Sequence, residues 1–110
     1  MEDSIKTLEK EIAEFSKERD WDKFHTPANL AKSISIESGE LLECFQWNDD
    51  DFNIDNVKEE LADVLNYSIQ LAISLNLDIK TIIEEKMKKN AAKYPVAKCK
   101  GKADKYTSYK

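Results

Sequence analysis

The feature that most constrains this chain is an apolar helical periodicity that almost no residue interrupts. Its 110 residues include only 2 glycines and 2 prolines. Apolar side chains recur three, four and seven residues apart along one side of a helix, as in Ile5, Leu8, Ile12 and Phe15. With 41% hydrophobic and 35% charged residues, the sequence predicts a single all-α domain over residues 1–110.

Periodicity and capping residues together predict four helices, over about residues 4–19, 27–46, 56–75 and 79–94. Capping side chains stand at their starts, supplied by Asp3 or Ser4, Thr26, Asp55 and Asp78. Pro27 suits the first turn of the second helix, and Pro95 ends the fourth. These elements predict a four-helix bundle over residues 1–95, followed by a lysine-rich tail over residues 96–110.

The third predicted helix is apolar on two faces. One face carries Val57, Leu61, Val64, Leu71 and Leu75, and the other carries Leu65, Ile69 and Ile73. A helix that is apolar on two faces buries both of them. In a chain this small the second face is expected to meet another subunit, so we predict a homo-oligomer, a dimer or a tetramer.

Two pairs of carboxylates border the apolar faces of the second and third helices. Taking ~100° of rotation per residue, Glu37 and Glu60 lie ~60° from the inward direction of their helices, and Glu40 and Asp63 lie ~120° away on the same side. Acids three residues apart are neighbours on a helix surface. If the two helices pack antiparallel, all four carboxylates meet.

Two interpretations of these acids stay open from helix geometry alone. They are either solvated side chains paired with lysines, or a cluster of like charges that a cation must neutralise. Mg²⁺ prefers carboxylate oxygens and keeps water ligands that phosphate oxygens can replace. The matching offsets on two helices make a magnesium site a hypothesis worth testing.

Aromatic residues and a histidine stand near the acids in sequence. Trp21 and Trp47 lie outside the regular apolar stripes, which suits either core packing or a stacking slot for a planar ligand. Tyr67 follows Asp63 by four residues on the acid-bearing side. His25, the one histidine, is either a hydrogen-bonded loop residue or a ligand contact.

One side of the fourth predicted helix changes from apolar to polar along its length. The side that begins with Ile79 continues with Lys86, Asn90 and Lys93. These polar residues either complement the helix dipole or contact phosphate. The lysine-rich residues after them are either a solvated tail or a cationic flap over an anionic ligand.

Charge and composition argue against several classes of protein. The net charge of −5 at pH 7 argues against a general nucleic-acid binder, which usually has a basic face. No apolar run approaches the ~20 residues of a membrane helix, and no signal peptide is expected. Cys44 and Cys99 do not make a disulfide framework, so we expect a cytoplasmic protein with reduced thiols.

Several motifs together resemble the MazG-like, all-α nucleoside triphosphate pyrophosphatases, and most of all their dCTP pyrophosphatase branch. They are ERDWDKFHTPANL, ESGELLECFQW, EELADVLNY and KMKKNAAKYP, followed by KYT at residues 105–107. They span nearly the whole chain. The resemblance implies Mg²⁺-dependent cleavage of a nucleoside triphosphate to a monophosphate and pyrophosphate.

Residue roles follow from the same resemblance. Glu37, Glu40, Glu60 and Asp63 would be the metal ligands and catalytic acids, and Trp21, His25 and Trp47 would contact the base and sugar. Tyr67 would lie in the same pocket, and Lys86 and Asn90 near the phosphates. The resemblance also implies dimers or tetramers whose sites borrow residues from a neighbouring subunit.

The substrate stays open at this point. Residue 12 is isoleucine, where some dCTP-specific members of that family carry a polar residue, so dUTP, a modified pyrimidine triphosphate and phosphoribosyl-ATP remain alternatives to dCTP. A second interpretation is a non-enzymatic helical interaction module, in which the acids and tryptophans serve a partner protein. That module would tolerate Glu60→Gln and show no Mg²⁺-dependent turnover.

Overall fold

The structure is a computed structural model that describes residues 3–103 and residue 107. Its helices are α1 (Ser4–Glu18), α2 (Pro27–Glu43), α3 (Ile54–Ser74), α4 (Ile79–Lys93) and α5 (Val96–Cys99), with a short 3₁₀ helix at Asp22–Phe24. The described residues contain no strand, so the predicted all-α class is confirmed. None of the described helices is long and apolar enough to cross a membrane.

Most helix starts match the predicted caps. The Asp3 carboxylate accepts from the backbone N–H of Ile5, and Thr26 Oγ1 accepts from the backbone N–H of Asn29. Asp78 Oδ2 accepts from the backbone N–H of Thr81 at 3.0 Å. These short-range bonds satisfy amides that have no partner within the first helical turn.

Both ends of the α2–α3 connection differ from the prediction. α2 ends at Glu43 instead of Gln46, because residues 44–46 switch to tighter bonds that reach back only three residues. α3 begins at Ile54 because Asn53, and not the predicted Asp55, is its cap; Asn53 Oδ1 accepts from two backbone amides at 2.9 and 3.2 Å. Asp55 instead lies in the first turn of α3, where its negative charge interacts favourably with the positive end of the helix dipole.

α1 and α3 end in the same way. Asp20 and Asn76 adopt left-handed backbone angles with φ of 54° and 56°. In each case the next residue donates its backbone N–H back into the helix, from Trp21 to Ser16 O at 3.0 Å and from Leu77 to Ala72 O at 2.9 Å. The first of these closures turns the chain so that Trp21 follows directly on α1.

The chain forms two compact units, Met1–Leu77 and Asp78–Lys110. In the first unit α2 packs on α3, and α1 also packs on α3. Leu30 and Ala72 are the buried hydrophobic residues among those described, while Leu65 on the second apolar face of α3 is 53% exposed. The first unit therefore leaves much apolar surface uncovered by its own chain.

The second unit contains α4 and α5. The α5 turn was not predicted, since residues 96–110 were expected to be a tail; Pro95 stands at its start, where its fixed φ suits a helix entry. Residues 105 and 106 of the KYT motif lie outside the described residues. The predicted helix at residues 79–94 is confirmed as α4, which ends one residue earlier.

Candidate metal and nucleotide site

Three of the four predicted acids meet between α2 and α3. Carboxylate oxygens of Glu37, Glu60 and Asp63 all lie within 4.8 Å of one another. Glu37 lies in the second half of α2 and Glu60 in the first half of α3, as expected where two consecutive helices pack against each other in antiparallel directions. Glu40 hydrogen-bonds with both Glu37 and Glu60 and completes the acid cluster of these four residues.

The carboxylates in the acid cluster perturb one another. The pKa of Glu37 is raised from 4.5 to about 7, first by its hydrogen bond with Glu40, then by desolvation and by the negative charges of Glu40, Asp63 and Glu60. Burial, followed by the hydrogen bond with Glu40, raises the pKa of Glu60. Like charges held this closely disfavour ionisation unless a cation compensates for them.

The chemistry of the cluster fits a hard divalent cation. Glu37 Oε2 and Glu60 Oε2 are shielded from solvent and have no hydrogen-bond partner among the described residues. An acceptor that is buried without a partner is costly, and a cation at this position would satisfy both oxygens. The donor set consists only of carboxylate oxygens, which suits Mg²⁺ or Mn²⁺ better than a softer metal.

Raising the pH from about 4.5 to about 7 in EDTA is expected to destabilise the protein. Over this window the folded chain keeps a proton on Glu37 that the unfolded chain has released, because the pKa of Glu37 is about 7 when folded and 4.5 ordinarily. Stability falls with pH wherever the folded state binds more protons. The melting temperature, measured by circular dichroism across this range, should therefore decline.

Glu37→Gln provides the control for that prediction, because glutamine keeps the size of the side chain but does not titrate. The decline should be shallower in this variant than in the wild type. Equal slopes in the two proteins would contradict the assignment of the raised pKa to Glu37.

A cavity of about 440 Å³ adjoins the acid cluster in the first unit. Its walls come from α1, from the connector after it and from α3. Asp63 belongs both to the acid cluster and to the cavity wall, so the two features share a residue. Trp21, His25 and Tyr67, all predicted to contact a ligand, line the same cavity.

The aromatic wall is held in place by local contacts. The rings of Phe15 and Trp21 meet edge to face with centroids 5.8 Å apart, and the Arg19 guanidinium lies 3.5 Å from the Phe15 ring centroid. Asn29 Nδ2 donates to Phe24 O at 3.1 Å and ties the connector to α2. The connector between α1 and α2 therefore presents Trp21 and His25 from a fixed loop.

Three predicted site residues lie elsewhere. Trp47 follows α2 in the loop, is 90% exposed and does not line the cavity of its own chain. Lys86 and Asn90 are exposed residues of α4 in the second unit. Their proposed contacts with ligand remain predictions.

Sequence reasoning missed several residues of the cavity wall. Asn66 and Gln70 follow Asp63 by three and seven residues, so they share its side of α3. Extending the rotation used for the acids along the helix would have found them. Glu11 and Phe15 on α1 also line the cavity, but only the packing of α1 on α3 brings them there.

Several known proteins are similar to this chain in sequence, and one solved structure is similar to it in fold. dCTP pyrophosphatase 1 of Rattus norvegicus is 37% identical over 115 residues, which cover 96% of this chain and 68% of the relative. The Homo sapiens protein of the same name is 35% identical with the same coverage. The crystal structure of a pyrophosphatase from Archaeoglobus fulgidus superposes with a TM-score of 0.81 and 41% identity, covering 86% of this chain and 95% of that one.

The profile of the MazG-like family matches residues 32–108, a range that includes every residue of the acid cluster. This match confirms the family that the motifs predict, and the alignments cover nearly all of the sequence. Profile, alignments and fold agree that this chain belongs to the MazG-like family.

Proposed function

We propose that this chain is a Mg²⁺-dependent hydrolase that cleaves a pyrimidine deoxynucleoside triphosphate, dCTP above all, to the monophosphate and pyrophosphate. The observation that carries the proposal is the shared position of Asp63, which belongs to the acid cluster and also lines the aromatic cavity. A nucleotide joins a flat base to a charged phosphate chain. The aromatic cavity offers a surface for the base, and the acid cluster beside it offers a metal site for the phosphates. Relatives named dCTP pyrophosphatase 1 support the choice of nucleotide.

The chain's residues divide into a base site and a phosphate site. Trp21, His25 and Tyr67 line the cavity that would hold the base and sugar. Glu37, Glu60 and Asp63 would hold the Mg²⁺, with Glu40 beside them. When bound, the metal would neutralise negative charge on the phosphate oxygens and, as a Lewis acid, polarise the phosphoryl group under attack.

Glu40 is the residue we propose as general base for the attacking water. Its side chain is exposed and hydrogen-bonds with Glu37 and Glu60, but it stands outside the set of oxygens within 4.8 Å. A carboxylate that is not fully used by a metal keeps a lone pair with which it can accept a proton. Lys86 and Asn90 remain candidates for contacts with the departing pyrophosphate.

Replacing Trp21 by alanine is expected to raise KM for dCTP by about 5- to 150-fold, because one base–aromatic stack contributes roughly 1–3 kcal/mol. The stack exists in the ground state and in the transition state alike, so kcat should fall less than KM rises. Steady-state kinetics with pyrophosphate detection measure both constants. An unchanged KM would show that Trp21 only packs against Phe15.

Trp47→Ala is the comparison variant. This indole is 90% exposed in its own chain, and we propose that it serves the cavity of a second copy. The variant should therefore raise KM in the assembled protein. If KM stays at the wild-type value in the assembled protein, Trp47 has no part in the base site.

We also propose that the chain is a homo-oligomer. Leu42, at 71% exposure, and Leu65, at 53%, lie on two helices of the first unit and leave apolar surface open to water. Extended exposed apolar surface marks an interaction site, and a second copy is the partner that the two-faced α3 predicts.

Neither nucleic acid nor membrane is part of the proposal. The free Cys44 and Cys99 agree with a reducing, cytoplasmic setting.

Pyrophosphate release from a panel of canonical and modified nucleotides tests the proposed function directly. Turnover of dCTP that needs Mg²⁺ and stops in EDTA is the expected result. Full tolerance of Glu60→Gln, or activity that EDTA leaves undiminished, would contradict the metal site and favour the non-enzymatic interaction module.

A further inference from the structure

One part of the cavity wall has no role in the hydrolysis described above. Glu11 on α1 and Asn66 and Gln70 on α3 line the cavity with polar side chains. Ile12, the neighbour of Glu11, lines the same cavity and offers no hydrogen bond. If the cavity holds a base, as the proposed function requires, polar side chains of this wall are available to contact its polar edge.

The two amides are oriented by each other. Gln70 Nε2 donates to Asn66 Oδ1 at 2.6 Å, which occupies one lone pair of the Asn66 oxygen and sets the direction of that side of the amide. The NH₂ group of Asn66 then remains a donor, with no acceptor among the described side chains. Gln70 Oε1 is shielded from solvent, so Gln70 holds the Asn66 amide in place without offering its own oxygen to a ligand.

Glu11 provides the opposite hydrogen-bonding character. Its side chain is exposed at the cavity wall, and no ion pair or hydrogen bond to another described residue engages its carboxylate. An ionised carboxylate only accepts hydrogen bonds. The wall therefore combines a pure acceptor on α1 with an oriented donor on α3.

This combination matches one class of pyrimidine. Cytosine carries an exocyclic amino donor at C4 beside the N3 acceptor, whereas uracil and thymine carry an acceptor at C4 beside the N3–H donor. A carboxylate that accepts from the cytosine amino group is a common mode of base recognition. We infer that Glu11 and Asn66 select an amino-pyrimidine over an oxo-pyrimidine, with Gln70 as the positioning residue for Asn66.

Binding of two nucleotide analogues tests this selection without relying on turnover. The α,β-imido analogues of dCTP and dUTP differ only in the base, and their dissociation constants are measured by calorimetry with Mg²⁺ present. The wild type should prefer the dCTP analogue. Glu11→Gln should reduce that preference by about 5- to 150-fold, the discrimination expected of one hydrogen-bonded base contact.

Asn66→Asp replaces the donor by an acceptor and should strengthen binding of the dUTP analogue while weakening that of the dCTP analogue. Gln70→Leu removes the hydrogen bond that orients the Asn66 amide. It should therefore lower the preference for the dCTP analogue over the dUTP analogue, and it should change KM for dCTP more than kcat. Glu14→Gln is the matched control, because it removes the same charge from the same helix at a position that does not line the cavity. It should keep the wild-type preference.

The inference is overturned if the wild type binds both analogues equally, or if Glu11→Gln and Asn66→Asp keep the wild-type ratio. Loss of affinity for both analogues by the same factor would also overturn it, since that result indicates a general packing role. A wild type that prefers the dCTP analogue through these residues but releases no pyrophosphate from dCTP would support the base selection while contradicting the proposed hydrolysis.

Discussion

Asp63→Asn is expected to lower kcat/KM for dCTP by at least about 100-fold while the helical content stays at the wild-type level. Asparagine keeps the shape of the side chain but offers one neutral oxygen in place of a carboxylate, which weakens a hard-cation site and its charge balance. Asp63 is an exposed residue of α3, so the helix itself does not depend on its charge. Pyrophosphate release and circular dichroism measure the two quantities.

The same variant has a second readout that separates a metal role from a structural one. The negative charge of Asp63 contributes to the raised pKa of both Glu37 and Glu60. Removing it relieves repulsion, so Asp63→Asn in EDTA above pH 7 should melt at or above the wild-type temperature. Mg²⁺ should then raise the melting temperature less in the variant than in the wild type.

Asp49→Asn is the matched control, since it makes the same chemical change in the exposed loop between α2 and α3. It should leave activity and the effect of Mg²⁺ on melting unchanged. Wild-type activity in Asp63→Asn would refute the proposed role of the acid cluster.

Leu65→Glu is expected to dissociate the proposed oligomer. Leu65 is 53% exposed within one chain, so a charged residue there should leave the helices of that chain intact. In an interface between copies the new carboxylate would lose its water without gaining a partner, at a cost of about 3–5 kcal/mol. The subunit dissociation constant should therefore rise by at least about 100-fold.

Sedimentation velocity at micromolar concentration measures this effect, with Lys58→Glu on the same helix as the control for an added negative charge. The control should keep the mass of the wild type. A monomeric wild type, or an unchanged mass for Leu65→Glu, would rule out the second face of α3 as the interface. Ile69→Glu should behave like Leu65→Glu, although Ile69 is more deeply placed within its own chain.

The helices and their caps could be predicted from the sequence because their causes are local. Apolar spacing selects the helical state, and the caps at Thr26 and Asp78 act on amides two or three residues away. The α3 start shows the limit of such reasoning. Asn53 and Asp55 are both residue types that cap helices. In the structure Asn53 has the extended backbone of a cap and accepts from the amides of the first turn, whereas Asp55 already lies within the helix.

The grouping of the site residues depends on contacts between distant parts of the chain. Rotation along each helix placed Glu37 and Glu60 on equivalent sides, but only the antiparallel packing of α2 on α3 brings their oxygens together. The pKa of Glu37 is raised to about 7 by both kinds of neighbour: first by Glu40, three residues along on the same helix, and then by burial and by the charges of Asp63 and Glu60 on α3.

The residues around the cavity show which features followed from the sequence and which depended on tertiary structure. Sequence by itself determined an all-α chain with two acid pairs and two tryptophans outside the apolar stripes. Tertiary structure decided that Trp21 lines the cavity while Trp47 does not, because the walls come from α1, the connector after it and α3, and Trp47 lies in the loop after α2. It also brought Glu11 to the wall shared with Asn66, since helix packing joins residues far apart in sequence that no local periodicity relates.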